Sequence, residues 1–376
     1  HDHFEEQFVD LFGRSGVNGA VADEHAPESR NRVAGQGILP GFEQRSAGSQ
    51  ATGVVMLENG EGRFAEFVDQ IQRRIDVQHV VVRDLLAVEL FEHPVQVAEE
   101  RGVLVGVLAI AQHHPVVKAL LDNGQDVIAS DLRLNDVDSR AEHIETNLFE
   151  SDSNIYSTLG KPDVCLHMAW RDGFKHNSDN HMGDLSSHYR LIKNMLDGGL
   201  PQIAVMGTMH EVGYWEGAID EHTPCHPASM YGIAKNALRE ATLMLAQEHN
   251  ATAQWLRAYY IVGDDLRGSS IFSKLLQAAH DGKPSFPFTT GKNKYDFIDV
   301  DELARQISAA VSQQEVTGII NCCTGNPISL AERVEQYIKD NNLNITLDYG
   351  AFPDRPYDSP GVWGDATKIH EILAAR

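Results

Sequence analysis

The sequence has 376 residues, which is enough for two domains or for one large α/β unit with an attached lobe. A formal net charge of −23 disfavours nucleic acid and anionic membranes as partners, because binding to their phosphates requires clustered Lys and Arg. The cysteines lack metal-ligand spacing, no apolar run spans a bilayer and the first residues lack a basic signal region. We therefore predict a cytoplasmic protein without a metal site.

A change in composition near residue 115 divides the chain. All 11 lysines lie at or beyond Lys118, as do all tyrosines, tryptophans and cysteines, whereas the residues before Lys118 contain nine arginines. The early segment carries no chemical motif, and so long a loop-like run is unusual in a compact domain. We predict that residues 1–114 are an atypical segment, foreign to the enzyme or poorly ordered, and that residues 115–376 form the working domain.

From residue 116 onward, predicted helices and strands alternate. Residues 116–123 are typical of the end of an amphipathic helix, which Gly124 stops. This alternation predicts a Rossmann-like, doubly wound parallel sheet with helices on both faces and ligands bound past the carboxyl ends of its strands. The strands are predicted at 127–130, 164–169, 203–207 and 253–262, and the helices at 185–196 and 228–248.

Tyr231 and Lys235 lie four residues apart, which places them on one face of the last of these helices. A lysine ammonium beside a tyrosine lowers the pKa of the phenol, so that the phenol can exchange protons near neutral pH. Thr208 follows an apolar strand and would face the ligand crevice, where its hydroxyl can orient a reacting oxygen. Either feature alone is weak evidence for a catalytic site, since tyrosine–lysine pairs at this spacing and threonines at strand ends are common.

Six segments in chain order resemble the extended short-chain dehydrogenases/reductases, in the group of nucleotide-sugar epimerases, dehydratases and ketoreductases. Together they extend over most of the chain beyond residue 115. They are the first helix and second strand (116–131), a strand ending in His-Met-Ala (163–169), the catalytic Ser/Thr strand (206–213), the Tyr/Lys helix (229–235), the entry to the substrate lobe (295–304) and a later strand (318–325).

The resemblance implies a catalytic role for three residues and a small C-terminal substrate-binding lobe, mainly within 264–376. Tyr231 would be the general acid/base, Lys235 would lower its pKa and hold the nicotinamide ribose, and Thr208 would orient the substrate. Asp131 would bind the adenosine ribose, which favours NAD as cofactor, while Arg133 beside it leaves NADP open. The other implied cofactor contacts are Asn147, Leu148, Ala169, Trp170 and Tyr260.

The sequence departs from the family pattern at two places. The glycine-rich phosphate loop should place glycines near 107, 110 and 113, but Val107, Ile110 and His113 stand there. Side chains at these positions would crowd a pyrophosphate, so we expect weakened cofactor binding, although 102–110 can still supply the first strand. Tyr295 replaces an arginine that many relatives use for substrate phosphate, and Lys292 or Lys294 would take that contact.

The residues after Thr208 guide the choice of reaction. Dehydratases of the family follow the threonine with Asp-Glu, whereas this chain has Met209, His210 and Glu211. We therefore predict reversible 4-keto reduction or oxidation of a nucleotide-activated deoxysugar, with His210 and Glu211 contacting the substrate. A 4-epimerase and a catalytically impaired remnant are the alternatives. The resemblance also implies a homodimer formed by the helices at 185–196 and 228–248.

Overall fold

A computed structural model of the chain describes residues 104–108, 114–134, 137–263, 270–354 and 358–376. The segment predicted to be atypical lies outside these residues, apart from its end. Positions 110 and 113, where the glycine-rich loop is expected, also lie outside them. Within the described part of the chain, no helix is both long enough and apolar enough to cross a bilayer.

Seven parallel strands form the main sheet, in the order β3-β2-β1-β4-β5-β7-β12. β1 pairs with β2 on one side and with β4 on the other, so the strand order reverses at β1, as the prediction of a doubly wound sheet requires. The strands are β1 (Leu104–Leu108), β2 (Asp126–Asp131), β3 (Glu142–Glu145), β4 (Val164–His167), β5 (Gln202–Thr208), β6 (Gly217–Ile219), β7 (Thr252–Ala258), β8 (Tyr260–Val262), β9 (Ser285–Pro287), β10 (Lys294–Tyr295), β11 (Phe297–Asp299), β12 (Gly318–Cys322), β13 (Ile328–Ser329), β14 (Thr346–Asp348) and β15 (Gly361–Gly364).

Helices cover both faces of the main sheet. Alternate residues of β5 enter opposite cores: Ala204 packs in the core beneath α1 and α6, and Val205 packs in the core beneath α3 and α4. Gly124 adopts φ +77° just after α1, as expected for the stop of that helix. The helices are α1 (His114–Asp122), α2 (Ile155–Thr158), α3 (Asn180–Asp197), α4 (Met230–Glu248), α5 (Ile271–His280), α6 (Val300–Val311), α7 (Leu330–Asp340) and α8 (Thr367–Ala374).

The single strand predicted at 253–262 is wrong, because the structure divides it into β7 and β8. Ala258, the last residue of β7, pairs with Thr208 and with Cys322, which are the last residues of the neighbouring strands. No partner in the main sheet extends farther among the described strands, so β8 leaves it and pairs with β11 instead.

Three smaller sheets accompany the main sheet in the described part of the chain. One contains β13, β10, β15 and β6, and two-stranded sheets join β11 to β8 and β14 to β9. The range 264–376 predicted for the lobe supplies most of these strands. It also supplies β12, which pairs with β7 in the main sheet, and β6 joins from outside this range.

Candidate active site

Strand ends bring the predicted site residues to one edge of the main sheet. Asp131 is the last residue of β2, Ala169 and Trp170 lie two and three residues after the end of β4, and Thr208 ends β5. Parallel strands place their carboxyl ends at the same edge of a sheet. The strand order of the sheet reverses between β1 and β4, which lie between β2 and β5. The sequence prediction of a crevice formed by these segments therefore agrees with the topology.

Tyr231 and Lys235 lie in the first two turns of α4, whose N-cap is the Ser229 hydroxyl. The Thr208 side chain lies close enough to the Tyr231 phenol to lower its pKa through hydrogen bonding. The Lys235 side chain is 3% exposed, and its Nζ donates to the carbonyl oxygen of Met206, 2.7 Å away. The structure thus brings together the three residues that the sequence predicts to be catalytic.

Burial shifts the pKa values of both titratable members of this group. Loss of solvation raises the pKa of Tyr231, and the hydrogen bond to Thr208 opposes that rise. Burial lowers the pKa of Lys235 to about 7, while the negative charge of Glu211 opposes the fall. Burial therefore keeps the phenol protonated at neutral pH, and a cationic ring placed beside it would favour the phenolate.

Trp170 covers the lysine from the β4 side of the crevice. Its ring centroid lies 4.0 Å from the Lys235 Nζ, which is cation–π contact distance. The indole stacks on His188 with centroids 4.3 Å apart and donates through Nε1 to His181 Nδ1 at 3.1 Å. These contacts fix the ring beside Tyr231 and Lys235, and the cofactor-contacting role of Trp170 stays a prediction.

Three histidine rings surround the Tyr231 ring. His176 stacks on it with centroids 5.4 Å apart, and His181 and His210 have centroids at 5.3 and 6.0 Å from it. Burial and the neighbouring His176 lower the pKa of His210 to about 3, so this imidazole is neutral at physiological pH. His210 remains a candidate substrate contact. Sequence reasoning missed His176 and His181. His176 lies in the loop between β4 and α3, and His181 lies in the first turn of α3, where no periodic pattern marks either residue.

Glu211 does not line the crevice, contrary to the sequence prediction that it contacts substrate. Its side chain has no exposed surface, and its carboxylate accepts hydrogen bonds from the Thr208 backbone N–H and from Trp255 Nε1. The physical reason is a capping box on the turn Met209–Glu211, which directs the carboxylate back to the residue before the turn. The spacing Thr-x-x-Glu in the sequence is the signal that could have revealed this role.

The residues predicted to bind the adenosine half lie at β2 and β3. Asp131 is half-buried, and burial raises the pKa of its carboxyl. Arg133 is exposed, and the Asn147 side chain caps the turn 148–150 by accepting the Phe149 N–H. Leu148 is buried in the core, so only its backbone can contact a cofactor.

The remaining candidates lie in the smaller sheets and at the edge of the crevice. Ala169 is 7% exposed, which leaves mainly its backbone for cofactor contact. Lys292 and Lys294 are both exposed and are therefore accessible to a phosphate. Tyr260 begins β8 and packs on the buried Tyr295, with ring centroids 4.4 Å apart. Among the described residues, no group of three His, Cys, Asp or Glu side chains could hold a metal ion.

Comparisons with known proteins agree with this arrangement. The model of the NAD dependent epimerase/dehydratase family matches residues 114–323. A relative from Aggregatibacter actinomycetemcomitans, dTDP-6-deoxy-L-talose 4-dehydrogenase (NAD(+)), is 42% identical over 257 residues, which are 66% of this chain and 94% of the relative. The structure of a UDP-glucose 4-epimerase from Thermotoga maritima matches with a TM-score of 0.61 at 19% identity, covering 71% of this chain and 91% of that chain. A UDP-N-acetylglucosamine 4-epimerase from Methanobrevibacter ruminantium matches with a TM-score of 0.62 at 16% identity, covering 73% and 92%. The two structures show a shared fold.

Proposed function

The chain belongs to the NAD-dependent epimerase/dehydratase family, and on that premise we propose that it oxidises the 4-hydroxyl of a dTDP-activated 6-deoxysugar reversibly, with NAD⁺. The observation that carries this proposal is the group of Thr208, Tyr231 and Lys235 at the carboxyl ends of the parallel strands. The relative that is 42% identical and is named as a dTDP-6-deoxy-L-talose 4-dehydrogenase supports the choice of sugar and reaction.

The catalytic group accounts for the proton in this reaction. The Tyr231 oxygen, as phenolate, takes the proton of the substrate 4-hydroxyl while the bond between carbon and oxygen becomes a carbonyl. A bound NAD⁺, which Asp131 and Lys235 would hold, would supply the acceptor for the hydride from the same carbon. The Thr208 hydroxyl orients the reacting oxygen toward Tyr231, and the Lys235 ammonium favours the phenolate. The reverse direction is 4-keto reduction, with Tyr231 returning the proton.

The described residues fit a nicotinamide dinucleotide by their chemistry. Asp131 offers a half-buried acceptor for the adenosine ribose hydroxyls, and an acid at this position disfavours the 2′-phosphate of NADP. Lys235 offers a donor beside the catalytic tyrosine for the nicotinamide ribose. We assign Asn147, the backbones of Leu148 and Ala169, Trp170 and Tyr260 to the remaining cofactor contacts. Lys292 and Lys294 would contact the substrate diphosphate, and His210 the sugar.

The test is turnover of dTDP-6-deoxy-L-talose and NAD⁺ by the full chain, following NADH and the 4-ketone together. We expect both products in equal amounts, and Tyr231→Phe, which removes only the hydroxyl, should lower turnover by roughly 10²- to 10⁴-fold. Formation of the 4-epimer without accumulation of NADH would support the epimerase instead. Bound NAD⁺ with no change in any dTDP- or UDP-hexose would contradict both and support the remnant.

We further propose that the enzyme is a homodimer formed by α3 and α4. Met182 and Tyr189 lie seven residues apart on α3, and Ile233 and Met244 lie eleven apart on α4, so each pair lies on one helical face. All four are exposed, between 38% and 55%. Light scattering on the full chain should give twice the mass of one chain, and Met244→Glu should give monomers.

A further inference from the structure

A buried carboxylate lies directly behind the catalytic threonine. Glu211 accepts the Thr208 backbone N–H at 2.7 Å through Oε1, and Trp255 Nε1 lies 2.8 and 2.9 Å from its two oxygens. Neither Glu211 nor Arg257 has exposed side-chain surface. This carboxylate therefore cannot contact substrate directly, but it contacts the backbone of a residue that does so in the proposed reaction.

Two arginines accompany this carboxylate. Arg257 Nη2 on β7 lies 3.5 Å and Arg239 Nη1 on α4 lies 3.6 Å from Glu211 Oε2. Arg257 also donates to the Asp220 carbonyl, and Arg239 to the Cys225 sulfur. A buried ion is tolerated when it is paired and hydrogen-bonded, so each member of this cluster stabilises the others in place.

The cluster is packed too tightly against β5 to move without moving Thr208. A Cβ on Gly207, the residue before Thr208, would lie 2.1 Å from Trp255 Nε1. The indole thus fills the space that a side chain on this strand would need. On the other side of Thr208, the turn Met209–Glu211 carries His210 toward Tyr231, and the capping box fixes both ends of that turn.

We propose that Glu211 is a positioning residue: its carboxylate, held by Trp255, Arg239 and Arg257, fixes Thr208 against Tyr231 and sets the electrostatic potential at the Tyr231–Lys235 pair. The proposal rests on the function proposed above. It differs from a purely structural role, because it requires a change in the charge of the cluster to be felt by the two titrating residues.

The direction of this electrostatic effect follows from the charges. The negative charge of Glu211 raises the pKa of both Tyr231 and Lys235, so neutralising it lowers both. Removing a positive charge from the cluster does the opposite. The charged groups facing Glu211 are Arg239 and Lys235 from α4 and Arg257 from β7; the titratable groups facing the catalytic pair are His176, His181, His210, His167 and His188.

The test is the pH profile of kcat/KM for the full chain and three variants. Glu211→Gln should move both limbs of the profile to lower pH by about half a unit or more and lower kcat more than it raises KM. Arg239→Gln should move both limbs to higher pH, since it leaves Glu211 paired with Arg257 only. Glu240→Gln is the matched control, because Glu240 pairs with Arg239 on the same helix but is exposed, and it should shift neither limb.

Shifts of opposite sign in the two cluster variants support the proposal. If the limbs of the pH profile are unchanged in both variants, or shift in the same direction in both, the proposal is overturned. If Glu211→Gln does not fold, Arg239→Gln alone decides by the direction of its shift. If the wild-type chain turns over no sugar, the proposed function fails separately. The titration of the Lys235 amine, read by NMR of isotope-labelled lysine in the same variants, then tests the electrostatic effect without turnover.

Discussion

Replacing Gly232 by alanine tests the packing of the catalytic helix against the turn that carries His210. In an exposed helix interior, glycine to alanine usually stabilises by ~0.5–1 kcal/mol, because alanine loses less backbone entropy on folding. At Gly232, however, an added Cβ would lie 2.3 Å from the His210 carbonyl oxygen and 3.1 Å from its carbonyl carbon. These are backbone atoms, so a side-chain rotation cannot relieve the overlap.

The expected result combines these two effects. Overpacking against a fixed neighbour costs about 1–3 kcal/mol, which exceeds the helix gain, so Gly232→Ala should lower the free energy of unfolding by roughly 1–2 kcal/mol. The displaced turn carries Thr208 and His210, so kcat should fall as well. Denaturant unfolding and NADH formation measure the two quantities on the same protein.

Gly183→Ala in α3 is the matched control. Gly183 is exposed, and a Cβ there would meet no atom within 4 Å. It should therefore stabilise the protein by about 0.5–1 kcal/mol and leave kcat unchanged. If Gly232→Ala stabilised the protein as Gly183→Ala does, with unaltered kcat, the close approach of α4 to the turn would be refuted.

Three further predictions follow from the charges and the missing glycines. Burial lowers the Lys235 pKa from 10.5 to about 7, so the folded state disfavours protonation of this lysine below pH 10.5, at a cost of about 4 kcal/mol at pH 7. Lys235→Met should abolish turnover yet raise the free energy of unfolding at pH 7 by ~2 kcal/mol, because loss of the hydrogen bond to Met206 and of the contact with Trp170 offsets part of that cost. That gain should shrink as pH rises toward 10.5 in urea titrations, and a constant gain would contradict the assignment. Restoring two of the expected glycines with Ile110→Gly and His113→Gly should tighten NAD⁺ binding by about tenfold in calorimetry, or ~1.4 kcal/mol, and unchanged affinity would refute the crowding argument. Asp131→Ala should weaken NAD⁺ by ~10-fold while leaving NADP⁺ affinity nearly unchanged, and equal losses for both would argue against ribose recognition.

The sequence by itself predicted strands of the main sheet, helices that flank it and the candidate catalytic group of Thr208, Tyr231 and Lys235. These depend on local patterns: apolar runs mark buried strands, a glycine stops α1, and a four-residue spacing places Tyr231 and Lys235 on one helical face. The family resemblance then ordered these elements. Both the doubly wound order and the family membership are confirmed. The roles of the individual cofactor and substrate contacts stay predictions.

Tertiary structure alone decided which side chains meet around these elements. The strand predicted at 253–262 divides after Ala258, because both neighbouring strands end at that register, and no local pattern in β7 reports where its partners stop. His176 and Trp170 come to the Tyr231–Lys235 pair through loops, whose course depends on packing rather than on periodicity. The direction of the Glu211 side chain was decided in the same way. Its partners Trp255 and Arg257 come from a strand more than forty positions later in the chain, so only the fold could place a buried carboxylate behind Thr208.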